Sequence, residues 1–171
     1  MATITLKGNP IHTRGALPAV GETAPDFRLT GADLSDVALS DFDGKVKILT
    51  LVPSLDTGVC AASARRFNQE AGALNETVVL QISADLPFAQ QRVCTNEGLS
   101  NVIPLSTFRS PAFGEDYGAV ITDGPMAGLI SRAVVVLDRE NCVVYTEQVP
   151  EIGQEPDYES ALQSARNAAA R

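Results

Sequence analysis

Two apolar runs, VKILTLVP (Val46 to Pro53) and TVVLQISA (Thr77 to Ala84), are separated by a single helical stretch, and that arrangement restricts the fold more than any other feature. Each run is short and continuous, as expected of a strand buried on both faces. Between them Cys60, Ala64, Phe67, Ala71 and Leu74 recur at helical spacing, with Arg65, Arg66 and Glu70 toward the wetter side. Alternation continues downstream. LPFAQQRVCTNEG (Leu86 to Gly98) reads as a helix stopped by glycine, NVIPLST (Asn101 to Thr107) as a shorter strand and SPAFGEDYG (Ser110 to Gly118) as a short helix. RAVVVLD (Arg132 to Asp138) and CVVYTEQV (Cys142 to Val149) then form an antiparallel pair. PDYESALQSARNAAA (Pro156 to Ala170) is a closing helix, with proline near its first turn and acids early. Upstream, ITLKGNPIHT (Ile4 to Thr13) is a β-hairpin around a Lys-Gly-Asn-Pro turn. A loop (Gly15 to Phe27) and a segment with a short strand and an Asp-Gly break (Asp33 to Lys45) follow. This order predicts an α/β fold: a mixed central sheet with helices on both faces, in one domain spanning residues 1–171.

Composition removes several functions. A net charge of −8 leaves no positive face for nucleic acid or an anionic membrane, and the absence of tryptophan removes a stacking platform. No apolar segment approaches the ~18 residues that span a bilayer. MATITLKGNPIH lacks the basic and apolar regions of a secretory signal. Three cysteines do not make a secreted disulfide framework, so a reducing cytoplasm is the expected location. With His12 the only histidine and no CxxC pair among Cys60, Cys94 and Cys142, neither a metal nor a cofactor is expected.

Chemistry concentrates in PSLDTGVC (Pro53 to Cys60). Cys60 falls where a strand gives way to a helix, and the unpaired N–H groups and macrodipole of a helix start stabilise a thiolate there. An ordinary thiol of pKa ~8.5 is about 3% ionised at pH 7, and tuning one to ~6 takes roughly 3.4 kcal/mol. A helix terminus supplies about 0.3–1 kcal/mol, or ~2 when partly buried, so a further cation is needed. Arg65, Arg66, Arg92, Arg109 and Arg132 are all candidates, and spacing does not choose among them. Thr57, three residues before Cys60, can direct a hydroxyl to the sulfur or a bound oxygen. Pro53 can exclude water while offering no N–H. The competing reading makes Cys60 an inert apolar residue. Cys94, on a helical pattern, and Cys142, in an apolar strand, read more simply as core.

The spacing P-x-x-x-T-x-x-C resembles the peroxidatic motif of peroxiredoxins. PSLDTGVC with RRFNQEA (Arg65 to Ala71), VGETAPDF (Val20 to Phe27), SADLPFAQQRVC (Ser83 to Cys94), LSTFR (Leu105 to Arg109) and SRAVVVLD (Ser131 to Asp138) resemble their thiol peroxidase branch. The likeness extends to EPDYESAL (Glu155 to Leu162) and implies a thioredoxin-like fold with an N-terminal hairpin. It implies that Cys60 is the peroxidatic cysteine, attacking hydrogen peroxide or an alkyl hydroperoxide to become a sulfenic acid. Thr57 would hold the peroxide, Pro53 would shield the site, and Arg132 would activate the sulfur and polarise the O–O bond. Cys94 would resolve the sulfenic acid as an intrachain disulfide that thioredoxin reduces, in a homodimer. Cys142 has no role in this picture and is expected to be structural.

Among rivals, a cysteine hydrolase would want a histidine base and a disulfide reductase a CxxC pair. A non-catalytic domain of the same fold would keep the strands but need not keep Thr57, Cys60 and an arginine together.

Overall fold

A computed structural model describes residues Met1–Arg171. Its main sheet has seven strands: β3 (Arg28–Thr30), β4 (Asp36–Ala38), β5 (Val46–Leu51), β6 (Thr77–Ser83), β7 (Ile103–Ser106), β8 (Ala133–Leu137) and β9 (Val143–Gln148). Their spatial order is β4-β3-β7-β6-β5-β8-β9. β5 runs parallel to β6, and β6 to β7, while β8 lies antiparallel to β5 and to β9. The sheet is therefore mixed, as expected. A separate hairpin pairs β1 (Thr3–Leu6) with β2 (Asn9–His12), with Lys7 and Gly8 at positive φ in the turn.

The parallel strands dictate where the helices go. The β5–β6 connection is α1 (Gly58–Ala71) and the β6–β7 connection is α2 (Pro87–Glu97). Successive right-handed crossovers stepping in one direction put both helices on the same face. Alternate strand residues Val46, Ile48 and Val79 pack there against Ala64 and Phe67 of α1, Cys94 of α2, and Ala161, Leu162 and Ala165 of α4 (Tyr158–Ala169). The opposite face, built from Leu49, Leu51, Leu80 and Ile82, is covered by Phe27, Phe113 and Tyr117, the last two at or beside the short α3 (Ala112–Asp116).

Three local details depart from the expectations. β3 was not predicted, because its three residues lie between loops and show no usable periodicity. α1 ends at Ala71 rather than Leu74, with Gly72 as its C-cap. Pro156 precedes the last helix instead of entering it: Asp157 is the N-cap, accepting from the Ser160 N–H at 3.1 Å. One glycine is obligatory. Gly118 has φ 61°, and a Cβ there would collide with the Ala16 carbonyl.

The third apolar cluster bears on the site. Ile4 and Ile11 of the hairpin enclose Ile152 together with Ile121. Backbone bonds from Thr5 N–H to Pro150 O (2.8 Å) and from Ile152 N–H to Thr5 O (2.9 Å) hold the post-β9 segment against the hairpin.

Candidate active site

β5 is buried at all six positions, and the chain leaves it through Val52 and buried Pro53 to enter α1. Thr57 caps the helix in extended conformation (φ −121°, ψ 155°), its hydroxyl oxygen accepting the Cys60 N–H at 3.2 Å. Because that oxygen is used as an acceptor, the Thr57 O–H hydrogen is free to point elsewhere. Thr57 and Gly58 are exposed, whereas Cys60 is fully buried directly behind them. No acidic residue lies in the first turn of α1, so nothing opposes the positive end of its dipole.

Among the five candidate arginines, the fold brings Arg132 to the sulfur. Its Nη1 donates to Cys60 Sγ at 3.2 Å, and its Nε donates to Ile152 O at 2.7 Å. The second bond orients the guanidinium, and the hairpin buttresses the carbonyl that makes it. Arg65 instead pairs with Glu97, Arg66 with Glu70 and Glu159, and Arg109 with Asp36. Arg92 lines a cleft beside Asp56 and Asp85.

Arg132 is 3% exposed, yet no carboxylate lies within ion-pair distance of it. A buried cation without an anion is costly, and arginine cannot escape by losing its proton. The sulfur is the group placed to balance it. The guanidinium and the start of α1 thus both present donors and positive charge to the sulfur. Lys47 of β5 is the instructive contrast. It is also buried and without a carboxylate in ion-pair range. Burial lowers its pKa, and its ammonium is met by Asn141 Oδ1 at 2.6 Å and the Asp138 and Arg139 carbonyls. Lys47 anchors a turn, whereas Arg132 meets a sulfur.

Cys94 lies in the last turn of α2, 7% exposed, within the apolar cluster shared with α1 and α4. Both thiols are free. Burial pushes the Cys94 pKa above its ordinary 9.0, keeping it protonated. A raised folded-state value stabilises the fold below the unfolded pKa, and that contribution disappears as pH climbs through the folded value. As pH rises above 9.0, unfolding free energies of wild type and Cys94→Ser should therefore converge. Parallel curves from urea melts would show that the thiol is not desolvated.

Cys142 is half-buried at the start of the β9 hairpin arm, its N–H bound by Asp138 Oδ1 at 2.9 Å. Sequence reasoning missed Asp85. Its carboxylate joins the loop before α1 to the end of β6, accepting from Ser54 Oγ and Ser83 Oγ, both at 2.7 Å, and from the Leu55 N–H at 2.8 Å. The Ile152 carbonyl was also missed. A lone aspartate and a backbone oxygen carry no periodicity or motif; only tertiary proximity gives them meaning.

Comparisons with known proteins bear on the family and the fold. The family described as Redoxin matches residues 19–162. The thiol peroxidase of Mycobacterium tuberculosis is 57% identical over 162 residues, covering 95% of this chain and 97% of that one. The chain belongs to the thiol peroxidase family. Members of this family are peroxiredoxin-type enzymes that reduce peroxides with a cysteine thiol. A peroxiredoxin-like protein from Aquifex aeolicus has the same architecture, with a TM-score of 0.93 at 34% identity over 98% of both chains. The thiol peroxidase from Chromobacterium violaceum shares the fold at TM-score 0.89 and 24% identity, over 96% of this chain and 95% of its own. The thioredoxin-like α/β class is thus established for this thiol peroxidase relative. No helix is long and apolar enough to cross a membrane, and no cluster of His, Cys, Asp and Glu is grouped to hold a metal.

Proposed function

We propose that the protein reduces hydrogen peroxide and alkyl hydroperoxides through Cys60, resolves the product with Cys94, and is recycled by thioredoxin as a cytoplasmic homodimer. The observation that carries this reading is the 3.2 Å contact between a buried, carboxylate-free guanidinium and Cys60 Sγ at a helix start.

The Cys60 thiolate attacks the terminal peroxide oxygen in line with the O–O bond. An S–O bond forms, the O–O bond breaks, and the leaving oxygen takes a proton to depart as water or an alcohol. Thr57 donates its free O–H to the incoming peroxide. Arg132 stabilises negative charge as it moves from sulfur to oxygen, a role that needs fixed donors where charge develops. Pro53 closes the site without presenting an N–H. The Cys94 thiol then attacks the sulfenic sulfur, expelling water and forming the disulfide, and two electrons from a dithiol return both cysteines to thiols.

A disulfide closing this loop is worth about 3.8 kcal/mol in chain entropy. The turnover disulfide must offset that gain through strain, or through unwinding of α1 and α2 around the cysteines. Hydrogen exchange around residues 58–61 and 92–98 should therefore differ between the reduced and oxidised forms. A coupled assay with thioredoxin, thioredoxin reductase, NADPH and cumene hydroperoxide tests the overall reading. Peptide mapping after one equivalent of peroxide should recover Cys60 linked to Cys94. A Cys60–Cys142 link, or no NADPH consumption, overturns it.

Replacing Arg132 separates the two sources of activation. Arg132→Met should slow both iodoacetamide alkylation of Cys60 and the peroxide step by about 10²–10³-fold, the cost of removing one fixed donor at a charge-developing oxygen. Arg132→Lys should recover part of the alkylation rate but little of the peroxide step. An ammonium restores charge but not the two-pronged geometry between Ile152 O and the sulfur.

A further inference from the structure

We infer that Asp85 is a positioning residue that ties the loop before Cys60 to the root of the helix carrying Cys94, so that one carboxylate sets the geometry of both thiols. The inference extends the proposed Cys60–Cys94 chemistry and rests on that reading for its functional meaning, although its geometry does not.

Asp85 sits between the end of β6 and the start of α2. Oδ1 accepts from Ser54 Oγ at 2.7 Å; Oδ2 accepts from the Leu55 N–H at 2.8 Å and from Ser83 Oγ at 2.7 Å. Its backbone is held as well, the N–H donating to Ser83 Oγ at 3.3 Å and the carbonyl accepting from Ser106 Oγ of β7. Ser54 Oγ in turn accepts the Asp56 N–H at 3.1 Å, immediately before the Thr57 cap. The turn that presents Thr57 and Cys60 is thus fastened to β6 through a single side chain, because Ser54 and Leu55 share that one partner. Carboxylate bonds to backbone N–H and hydroxyl groups are the strong, geometrically selective kind.

The carboxylate reaches α2 only through Ser83, whose hydroxyl donates to Asp85 Oδ2 and accepts from the helix. Gln90, one turn further on, donates to Ser83 Oγ at 3.0 Å and to Leu105 O at 2.9 Å, completing the root. Gln90 Oε1 and, on β6, Gln81 Nε2 are buried without a protein partner. The root of the helix is held through Ser83 and Gln90, and its last turn by the apolar cluster around Cys94 and the Arg65–Glu97 pair at 2.8 Å. Fixing the root while the distal turn unwinds swings Cys94 about a defined point instead of releasing the helix, and Asp85 keeps the Cys60 loop in place meanwhile.

Two alkylation rates in reduced protein test this without peroxide or disulfide. In a Cys94→Ser, Cys142→Ser background, Asp85→Ala should slow iodoacetamide reaction at Cys60 by about 10-fold or more, as loss of hydrogen bonds to a charged group implies. In a Cys60→Ser, Cys142→Ser background it should speed reaction at Cys94 by at least about 10-fold, because the helix root is released. Asp85→Asn, whose amide oxygen can still accept from Leu55 N–H and Ser83 Oγ, should restore most of both rates. A change of less than twofold in either rate, or an Asn variant no better than Ala, overturns the inference. If Asp85→Ala does not fold, Ser54→Ala cuts the loop side alone. It should slow Cys60 and leave Cys94 within twofold, and an unaltered Cys60 rate overturns the inference equally. Failure of wild type to form the Cys60–Cys94 bond would instead refute the proposed function and leave these rates to be judged on their own.

Discussion

Cys60→Ser is expected to abolish turnover, with peroxide-dependent NADPH consumption falling at least ~10³-fold, as losses of a catalytic nucleophile do. The fold should survive, since serine is nearly isosteric. The residue's backbone contribution, its N–H to the Thr57 hydroxyl, is unaffected. Its electrostatic consequence is less mild. A serine hydroxyl stays neutral at pH 7, so the buried Arg132 guanidinium loses the sulfur that the proposed chemistry makes its counter-anion. The variant should therefore be inactive and also less stable than wild type in urea melts at pH 7. An inactive variant of unchanged stability at every pH would show that the sulfur carries no charge in the resting enzyme, removing the basis of the proposed chemistry. Residual turnover near the wild-type level would assign the reaction to another cysteine.

Cys94→Ser should lose steady-state activity to a comparable degree while sparing the first half of the cycle. One equivalent of peroxide is consumed in a rapid burst, after which thioredoxin no longer turns the enzyme over. The surviving sulfenic acid has no partner thiol and advances with excess peroxide to sulfinic acid, visible as a 32 Da increment in mass. The burst must keep its wild-type rate constant, because Cys94 lies in the apolar cluster of α2 and takes no part in the hydrogen bonds that join Arg132, Cys60 and Thr57. A slowed burst would place Cys94 in the attacking step. Blocked recycling in Cys142→Ser, with Cys94→Ser unimpaired, would transfer the resolving role to the β9 hairpin.

Much of this was readable from the chain. Long apolar runs such as Val46–Leu51 announce themselves because a strand buried on both faces has no polar alternation to blur it. The helix start at Cys60 was visible for a similarly local reason: proline, threonine and glycine each constrain their own backbone within a few residues. What escaped was non-local. Choosing Arg132 among five arginines from spacing alone was impossible, because its selection depends on β8 lying beside β5, 72 residues apart in the case of the Arg132–Cys60 bond. The family resemblance supplied that residue, and packing then explained it. Asp85 had neither route, since its partners come from two strand ends and a loop that only the folded sheet assembles. β3, three residues long, fell below the length at which any period can be recognised.

The carboxylate-free burial of Arg132 has one more consequence. Any oxidation that turns the Cys60 sulfur into a neutral species leaves a permanent positive charge stranded in a dry interior. That charge can be relieved only by admitting solvent or by moving the segment around it. On the proposed reading, the charge balance of this interior therefore differs between the reduced and oxidised enzyme, and relieving it would loosen the segments around Cys60 that the disulfide step has to move.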